Sequence, residues 1–529
     1  MKRRDFIKIS SVAGVAGVVG SNFDTAANPL YAQASGFDLH PFIKAHPEAV
    51  FINLTDIKEK TDSKGINNVA YKLAREMFVS TSGGAGYPNS TKIAGKPNWT
   101  CAPQDKDDPT ESMGIITDIN YTEGYFNGIR SRGPQQIYLR DCACPYQWEP
   151  LGITDMAKRS NFDLTNLVAK DPWEYENGEI VFKEVNGVVF KEIGLQSPIA
   201  APNSFLVNVA KFKTHRKGVT GAIKNLQGTA ARRFHQFCST SDAFRTLDSG
   251  YHRFYQPGHM EKINELHKKH VDAGIPRWNE KMARPPFNSG LRQEFWVQRM
   301  LDAYSVLPVS EGIHIIEGIY WRDGDGFAAG PHNGKGKDHM CNMTLFGKDP
   351  FRTDLVAHWL AGHEPGNFGL FHIGIEKGFS NVLDPFDVPI YLWKDGKAKK
   401  TQLNKLKRTP LLMEYNQKEG EGLYIMVDEP FDYKAWKKTG KTASVEPSIR
   451  AIGTDSNSHI VMDMNVPQRG DVYVDILNNE GELVWRMRAN DLEPGVHQVV
   501  WDGFNQPGMY NTYVKGMGWD AENEMVIYS

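Results

Sequence analysis

The chain of 529 residues is poor in cysteine, in long apolar runs and in net charge. Its five cysteines include no C-x-x-C spacing, which excludes a disulfide scaffold and a zinc ribbon. No apolar run reaches the roughly 20 residues of a membrane span, so we expect no permanent membrane anchor. Lys and Arg total 61 against 63 Asp and Glu, which gives no reason to expect nucleic acid as a partner.

The remaining composition, 40% hydrophobic and 23% charged, is that of a folded globular protein. Short apolar segments that read as strands alternate with amphipathic helical ones. The strand segments are 49–54, 136–139, 205–210 and 314–316, and the helical ones include 65–79 and 121–131. This alternation predicts an α/β sheet with helices on both faces. Ligands of such sheets usually bind at the carboxyl ends of the strands.

The N-terminal segment carries the features of an export signal. Arg3 and Arg4 precede a weakly apolar stretch, residues 9–20, and Ala32-Gln33-Ala34 offers a small-x-small cleavage pattern. The segment resembles a bacterial twin-arginine signal peptide. We therefore expect residues 1–34 to engage the twin-arginine export machinery and to be cleaved near Ala34. The mature chain would then be periplasmic or extracellular.

Residues 211–235 form a basic segment without a single acid. Its cations are Lys211, Lys213, Arg216, Lys217, Lys224, Arg232 and Arg233. Interleaved Gly and Thr allow close approach of a ligand, so the segment suits an anionic group such as phosphate or carboxylate. The alternative is a solvated basic loop that pairs with acids elsewhere in the fold.

Several motifs occur in order along the first two thirds of the mature chain. K-x-K-T-H from Lys211 is followed by V-T-G-A-I-K-N-L-x-G, and K-P-N stands at Lys96. With the acidic motifs after residue 316, these resemble the domain of unknown function 362 over about residues 47–380. The resemblance implies an α/β domain, which we place at 35–380, but no established reaction. Glu317, Asp323 and Phe327 depart from the family pattern. The ferredoxin-like cysteines of many relatives are missing, so an iron–sulfur role does not carry over.

The resemblance and the local charge together predict a site for a small anionic molecule. We expect the ligand to be held by Lys96, Asn98, Lys211, Lys213, His215, Lys224 and Asn225. No cofactor is assigned.

Three further residues are candidates for proton or metal chemistry: Asp323, Asp354 and His358. Asp323-Gly324-Asp325-Gly326 would present oxygen ligands to a hard cation or form a plain turn. Asp354 and His358 are spaced i and i+4 on a predicted helix that Asp349 caps. They would form a metal pair, an Asp-oriented general base, or a hydrogen bond without chemistry.

After residue 380 the pattern changes. We interpret 381–448 as a β-rich extension and linker, and 449–529 as a β-sandwich with a hairpin of 471–477 and 483–487. W-D-G-x-x-x-x-G-x-Y from Trp501 resembles the immunoglobulin-like domain of the flagellar hook-capping type. The sequence thus favours an exported enzyme or cofactor-binding protein that acts on a small anionic ligand. The alternative is a non-catalytic extracytoplasmic binding or surface protein.

Overall fold

The computed structural model describes most of the chain after the predicted signal peptide, which itself lies outside the described residues. The described residues are 36–82, 84–100, 110, 113–141, 148–165, 178–215, 218–231, 254–276, 290–418, 421–439, 447–455, 458–467, 470–492, 495–502, 507–516 and 519–527. Among them, no helix combines the length and the apolar character needed to cross a membrane.

The part before residue 402 contains strands β1 to β17. In chain order they are β1 (Gly36–Leu39), β2 (Val50–Leu54), β3 (Phe78–Thr81), β4 (Tyr87–Pro88), β5 (Lys92–Pro97), β6 (Ile137–Arg140), β7 (Asp163–Thr165), β8 (Ile180–Glu184), β9 (Glu192–Gln196), β10 (Ser204–His215), β11 (Gly218–Thr220), β12 (Ile313–Arg322), β13 (Ala329–Gly330), β14 (Gly334–Lys335), β15 (Asp338–Gly347), β16 (Ile390–Lys394) and β17 (Lys397–Thr401).

The helices are distributed along the same part, with one further helix near residue 436. They are α1 (Pro41–Ala45), α2 (Ser63–Met77), α3 (Ile119–Arg130), α4 (Ile153–Arg159), α5 (Ala222–Leu226), α6 (His259–Asp272), α7 (Gly290–Tyr304), α8 (Pro350–Leu360), α9 (Gly369–Glu376) and α10 (Tyr433–Thr439).

A central mixed sheet has the strand order β17-β16-β2-β15-β12-β10-β5-β6-β7, and β11 pairs with the end of β10. The pairs β12–β10, β10–β5, β5–β6, β6–β7 and β16–β2 are parallel. β15 and β17 are antiparallel to their neighbours. The carboxyl ends of β12, β10, β5 and β6 therefore lie at one edge of the sheet.

Helices cover both faces of this sheet, as the alternation of strand and helical segments along the chain predicts. Leu206 and Ala210 of β10 pack in one core cluster with residues of α5, α7 and α8. Phe205 and Val207, on the other face of the same strand, pack with residues of α2, α3 and α4. The sequence-based prediction of an α/β sheet with helices on both faces is confirmed.

Local signals at α8 also act as expected. Asp349 Oδ1 accepts hydrogen bonds from the backbone N–H of Phe351 (2.8 Å) and Arg352 (3.2 Å), and Pro350 occupies the first turn. Gly362 follows the helix with a φ of +88°, a conformation that favours glycine. The predicted cap of this helix is therefore confirmed.

The C-terminal part consists of antiparallel sheets. Its strands are β18 (Met413–Lys418), β19 (Glu421–Ile425), β20 (Ser448–Asp455), β21 (Ile460–Val466), β22 (Gly470–Asn478), β23 (Leu483–Leu492), β24 (Gly495–Trp501), β25 (Gly508–Gly516) and β26 (Trp519–Ile527). One sheet has the order β18-β19-β20-β21-β24 and the other β23-β22-β25-β26. Met464 of the first and Val474 of the second belong to one hydrophobic cluster, so the two sheets share a core.

The segment between the two parts does not stand apart from them. β16 and β17 form an edge hairpin of the central sheet, and β18 and β19 pair with β20 in the first C-terminal sheet. The sheet that contains β20 therefore begins well before residue 449. α10 lies within the predicted linker, whose residues 440–446 are outside the described part.

Candidate functional site

The predicted ligand-binding residues lie where β5, β10 and β12 end. These three strands are adjacent and parallel, so the segments that follow them meet at the same sheet edge. Asn98 follows β5, and β11 and α5 follow β10. Asp323 directly follows β12. The structure divides the predicted side chains at this edge into several separate clusters of hydrogen bonds and ion pairs.

The first group is a polar network of Lys96, Asn98, Asp141, Asn208 and Asn225. Lys96 Nζ lies 3.0 Å from Asp141 Oδ2 and donates to Asn225 Oδ1 at 3.0 Å. Asn98 Nδ2 donates to the same Asn225 oxygen at 3.0 Å. Asn225 Nδ2 donates to Asn208 Oδ1 at 2.7 Å. Three predicted residues thus come together, and a fourth residue, Asp141, neutralises the buried ammonium group.

One oxygen atom of this network, Asn98 Oδ1, does not take part in its hydrogen bonds. Asn98 Oδ1 is buried and has no hydrogen-bond partner among the described residues. A buried acceptor without a partner costs about 1–3 kcal/mol, so such atoms usually meet a water molecule or a ligand. A ligand at this position would have to donate a hydrogen bond.

Two glycines of the V-T-G-A-I-K-N-L-x-G motif let backbone approach these side chains. A Cβ atom on Gly228 would lie 2.5 Å from Lys96 Cε and 2.9 Å from Asp141 Oδ1. A Cβ atom on Gly221 would lie 2.3 Å from Asp354 Oδ1. Any larger residue would displace a buried charged group, which explains in physical terms why glycine stands at both positions.

Lys211 belongs to a separate ion pair. Its Nζ lies 2.7 Å from Glu317 Oε2, and both side chains have an exposure of 0%. The ammonium group also lies 3.5 Å from the centroid of the Tyr320 ring. Lys211 and Asn208 point to opposite faces of β10, because side chains alternate along a strand. The structure therefore separates Lys211 from the polar network.

Glu317 is the acidic partner in this enclosed pair. Burial raises the pKa of its carboxyl group, against the opposing effect of Lys211. Its second oxygen, Oε1, accepts the backbone N–H of Ile319 at 3.1 Å. These contacts hold the Lys211–Glu317 ion pair in the protein interior, away from solvent.

Lys213 and Lys224 come together around Thr220. Lys213 and Thr220 are register partners in the β10–β11 ladder, which places their side chains on the same side of that ladder. Lys224 Nζ donates to Thr220 Oγ1 at 2.8 Å. Lys213 Nζ donates to the carbonyl oxygen of Gly326 at 2.8 Å. Both lysine side chains are buried, and each belongs to a residue that contacts or pairs with Thr220.

His215 ends β10 beside this group. Its ring is buried and lies edge-on to Phe327, with centroids 5.8 Å apart. Phe327 also lies 5.2 Å from Lys213 Nζ, measured to the ring centroid. The other cations of the predicted basic segment, Arg216, Lys217, Arg232 and Arg233, are outside the described residues.

The carboxylate of Asp354 accepts hydrogen bonds from two backbone N–H groups. Oδ1 accepts the N–H of Ala222 at 2.6 Å and Oδ2 accepts the N–H of Ile223 at 3.0 Å. Burial raises the pKa of this carboxyl group to about 7, and the two hydrogen bonds act in the opposite direction. Asp354 therefore holds the start of α5 against α8.

His358 does not contact the Asp354 carboxylate. Its Nδ1 lies 2.7 Å from the backbone oxygen of Asp354, and its ring lies edge-on to Phe368 and Phe371. Burial lowers the pKa of His358 to about 4, which leaves the ring neutral near pH 7. The structure does not join the two candidate catalytic residues of α8 through their side chains.

Asp323 forms a cluster with two histidines that the sequence analysis did not select. Asp323 Oδ2 lies 2.6 Å from His332 Nε2 and 2.9 Å from His339 Nε2. Burial by itself raises the pKa of the Asp323 carboxyl group, but hydrogen bonds to His339 and His332 outweigh it and lower the pKa. Asp325, the second acid of the D-G-D-G turn, instead accepts the N–H of Phe327 at 2.7 Å.

Signals for the overlooked residues were present in the sequence. His332 and His339 follow the D-G-D-G turn at separations of 9 and 16 residues from Asp323. Asp141 lies two residues after the predicted strand 136–139 and directly follows β6, at the sheet edge where ligands bind. Separations of 9 and 16 residues do not by themselves identify His332 and His339 as partners of Asp323, because the return of β15 along β12 brings them together.

Comparison with known proteins identifies one family. The model of the family described as Domain of unknown function (DUF362) matches residues 93–358, which is half of the chain. This range includes the polar network and the residues around Thr220, and it ends at His358. A search of the curated proteins finds no match to the chain.

Proposed function

We propose that this chain, which belongs to the DUF362 family, binds and acts on a small anionic molecule at the carboxyl edge of its central sheet. The observation that carries the proposal is the grouping of Lys213 and Lys224 around Thr220. Two buried lysines, one bonded to the Thr220 hydroxyl and the other the register partner of Thr220, suit a phosphate or carboxylate, because charge-assisted hydrogen bonds are strong where water is excluded.

The polar network is connected to the lysine site by two adjacent residues of the chain. Lys224 and Asn225 are consecutive residues of α5, and Asn225 Oδ1 accepts from both Lys96 and Asn98. In our proposal the anionic group of the ligand meets Lys213 and Lys224. A hydroxyl or amino group of the same ligand donates to Asn98 Oδ1. The ligand class is therefore a small anion that also carries a hydrogen-bond donor.

Thermal shift measurements against phosphates, nucleotides and carboxylates test this proposal. Lys213→Met and Lys224→Met keep most of the side-chain volume and remove the charge. We expect each to lose a contact of roughly 1.5–3 kcal/mol, which is about 10- to 150-fold in affinity. Lys262→Met is the control, because this exposed lysine of α6 pairs with nearby Glu265 at 3.0 Å and lies outside the proposed site.

The result that contradicts the anion site is specific. If no anion stabilises the wild-type protein more than it stabilises both variants at 213 and 224, the site does not bind an anion. If an anion does stabilise the wild-type protein, an assay for its chemical conversion distinguishes an enzyme from the alternative, a non-catalytic extracytoplasmic binding protein.

We further propose that residues 1–34 direct export by the twin-arginine machinery, so that the mature protein is periplasmic or extracellular. The support is the pair Arg3 and Arg4 ahead of a weakly apolar segment that ends in Ala32-Gln33-Ala34. Replacing both arginines with lysine should hold the precursor in the cytoplasm. Unchanged export of that variant would overturn the proposal.

For the C-terminal part we propose an immunoglobulin-like accessory domain. Two antiparallel sheets with a shared core and the W-D-G-x-x-x-x-G-x-Y spacing support this assignment. Such a domain would serve spacing or partner contact rather than chemistry. Deletion of residues 413–529, which removes both C-terminal sheets together, should leave anion binding unchanged, and a loss of binding would contradict the accessory role.

A further inference from the structure

We propose that Asp323, His332 and His339 form a binding site for a first-row divalent transition metal ion of the Zn²⁺ type. The inference rests on side chains other than those of the anion site, so its test does not depend on whether the proposed function is correct. Two imidazoles and one carboxylate are a donor set that such ions prefer, because neutral ring nitrogen and anionic oxygen match their intermediate softness.

The three side chains converge on one point. Asp323 Oδ2 lies 2.6 Å from His332 Nε2 and 2.9 Å from His339 Nε2, and the ligand atoms all lie within 4.8 Å of one another. With metal–ligand bonds of about 2.1 Å, neighbouring ligand atoms at the tetrahedral angle are about 3.4 Å apart. Small side-chain adjustments would therefore place an ion in contact with all three groups.

The backbone holds the carboxylate in the required orientation. Asp323 Oδ1 accepts the N–H of Lys337 at 2.7 Å, which leaves Oδ2 to face the two rings. Asp323 N also donates to the carbonyl oxygen of Lys337 at 3.1 Å. A hydrogen bond of this kind to the non-ligating oxygen is the usual support of a carboxylate ligand.

Both histidines sit on segments that pair with the Asp323 region. His339 belongs to β15 and is the register partner of Trp321 in β12, two residues before Asp323. His332 precedes a tight return in which its N–H donates to the carbonyl oxygen of Lys335 at 3.1 Å. The three ligands are thus fixed by the β12–β15 ladder and the turn that connects it, which reduces the ordering cost of binding an ion.

The cluster is open on the histidine side. The Asp323 side chain is 3% exposed, whereas those of His332 and His339 are 40% and 24% exposed. An ion can therefore enter from solvent, and water or a substrate atom can complete its coordination. Three protein ligands with open positions are typical of catalytic rather than structural metal sites.

A cluster without metal is the competing explanation of the same geometry. It requires a proton on each Nε2, so that both rings donate to Asp323 Oδ2. A metal ion replaces both protons and binds the neutral rings. Metal uptake by the purified protein distinguishes the two cases, whatever reaction the protein performs.

The experiment uses the full mature protein, freed of metal with a chelator and titrated with Zn²⁺ and Co²⁺. Bound metal is measured by mass spectrometry, affinity by calorimetry and coordination by the visible absorption of Co²⁺. The variants are Asp323→Asn, His332→Ala and His339→Ala. His46→Ala is the control, because among the described residues His46 belongs to no cluster of metal ligands and its Nδ1 lies 3.3 Å from Glu48 Oε1.

We expect wild type and His46→Ala to bind one equivalent more than each cluster variant. Loss of one of three ligands should weaken that binding by at least about 100-fold, since even supporting partners of a ligand contribute 10- to 100-fold. Equal stoichiometry and affinity in wild type and all cluster variants would overturn the proposal, as would a failure of wild type to bind either ion. If Asp323→Asn does not fold, His332→Ala still decides, because its side chain is 40% exposed.

Discussion

Asp354 Oδ1 accepts a hydrogen bond of 2.6 Å from the backbone N–H of Ala222, 132 residues earlier in the chain. Together with the bond from Ile223, this contact ties the start of α5 to α8. The positions of Lys224 and Asn225 depend on α5, so a residue that meets no ligand itself sets the geometry of both side-chain groups at the sheet edge.

Asp354→Ala should therefore destabilise the protein by about 2–5 kcal/mol, because two buried N–H groups lose their acceptor. Asp354→Asn restores one acceptor and should cost about half as much. Urea unfolding measures both. Asp62→Ala is the matched control, since Asp62 caps α2 at an exposed position through one bond of 2.9 Å to Gly65 and should cost only about 1 kcal/mol. Equal effects of Asp354→Ala and Asp62→Ala would contradict the clamp.

The Lys211–Glu317 pair predicts a strong coupling between its members. Glu317→Gln leaves a buried ammonium group without its counter-charge and should cost about 3–5 kcal/mol. The double variant Lys211→Met/Glu317→Gln removes both charges and should recover most of that loss. Double-mutant analysis of unfolding free energies measures the coupling. The exposed pair Arg486 and Asp475 serves as control, and its coupling should be far smaller because water screens exposed charges.

The same double variant tests whether Lys211 binds the ligand. Because the structure encloses Lys211 with Glu317, we expect anion binding to survive the double substitution. A loss of binding as large as that of Lys213→Met would instead support the original interpretation of Lys211 as a ligand-binding residue.

His270 predicts a pH-dependent contribution to stability. Its Nδ1 lies 2.7 Å from Glu294 Oε2 and its Nε2 lies 3.0 Å from Glu376 Oε2, which joins α6 to α7 and α9. Burial by itself lowers the pKa of His270, but the hydrogen bonds and charges of the two glutamates outweigh it and raise the pKa above 6.5. The stabilisation is therefore complete below pH 6.5 and is lost as the pH rises through the folded-state pKa.

His270→Gln should accordingly cost about 3 kcal/mol at pH 6 and clearly less at pH 9, because it leaves buried Glu294 without its cation. Unfolding in urea at the two pH values is the measurement. His46→Gln, at a more exposed histidine, should change stability by less than about 0.5 kcal/mol at either pH. A cost that is independent of pH would show that His270 is not charged in the folded protein.

The pairing of β18 and β19 with β20 predicts how the C-terminal part behaves as a fragment. Residues 409–529 retain all strands of both C-terminal sheets, whereas residues 447–529 lack β18 and β19 and expose the edge of β20. The longer fragment should resist protease and unfold at higher temperature. Equal protease resistance of the two fragments would show that β18 and β19 add nothing to the stability of this sheet.

Local order could be predicted from the sequence because neighbouring residues determine it. The apolar run at 205–210 predicted the core of β10, and Asp349-Pro350 predicted the start of α8. Alternating side chains predicted the hairpin of β22 and β23. Ordered motifs indicated the family, and K-P-N with V-T-G-A-I-K-N-L-x-G indicated Lys96, Asn98 and Asn225, which do meet.

The grouping of charged side chains was decided only by the tertiary structure. Lys211 and Lys213 are two residues apart and carry the same charge, yet one is enclosed with Glu317 and the other lies beside Thr220 and Gly326. Asp354 was a candidate for chemistry, but Ala222 and Ile223 occupy its carboxylate.

Sequence patterns thus determined the strands, the helix ends and the residue types at the sheet edge, because these depend on steric preferences and burial over a few residues. The partner of each buried charge depends on which segments the fold brings within about 3 Å, and such separations of 106 to 132 residues leave no periodic trace in the sequence. The contact of Asp323 with His332 and His339 likewise depends on the fold, because the return of β15 along β12 brings these residues together.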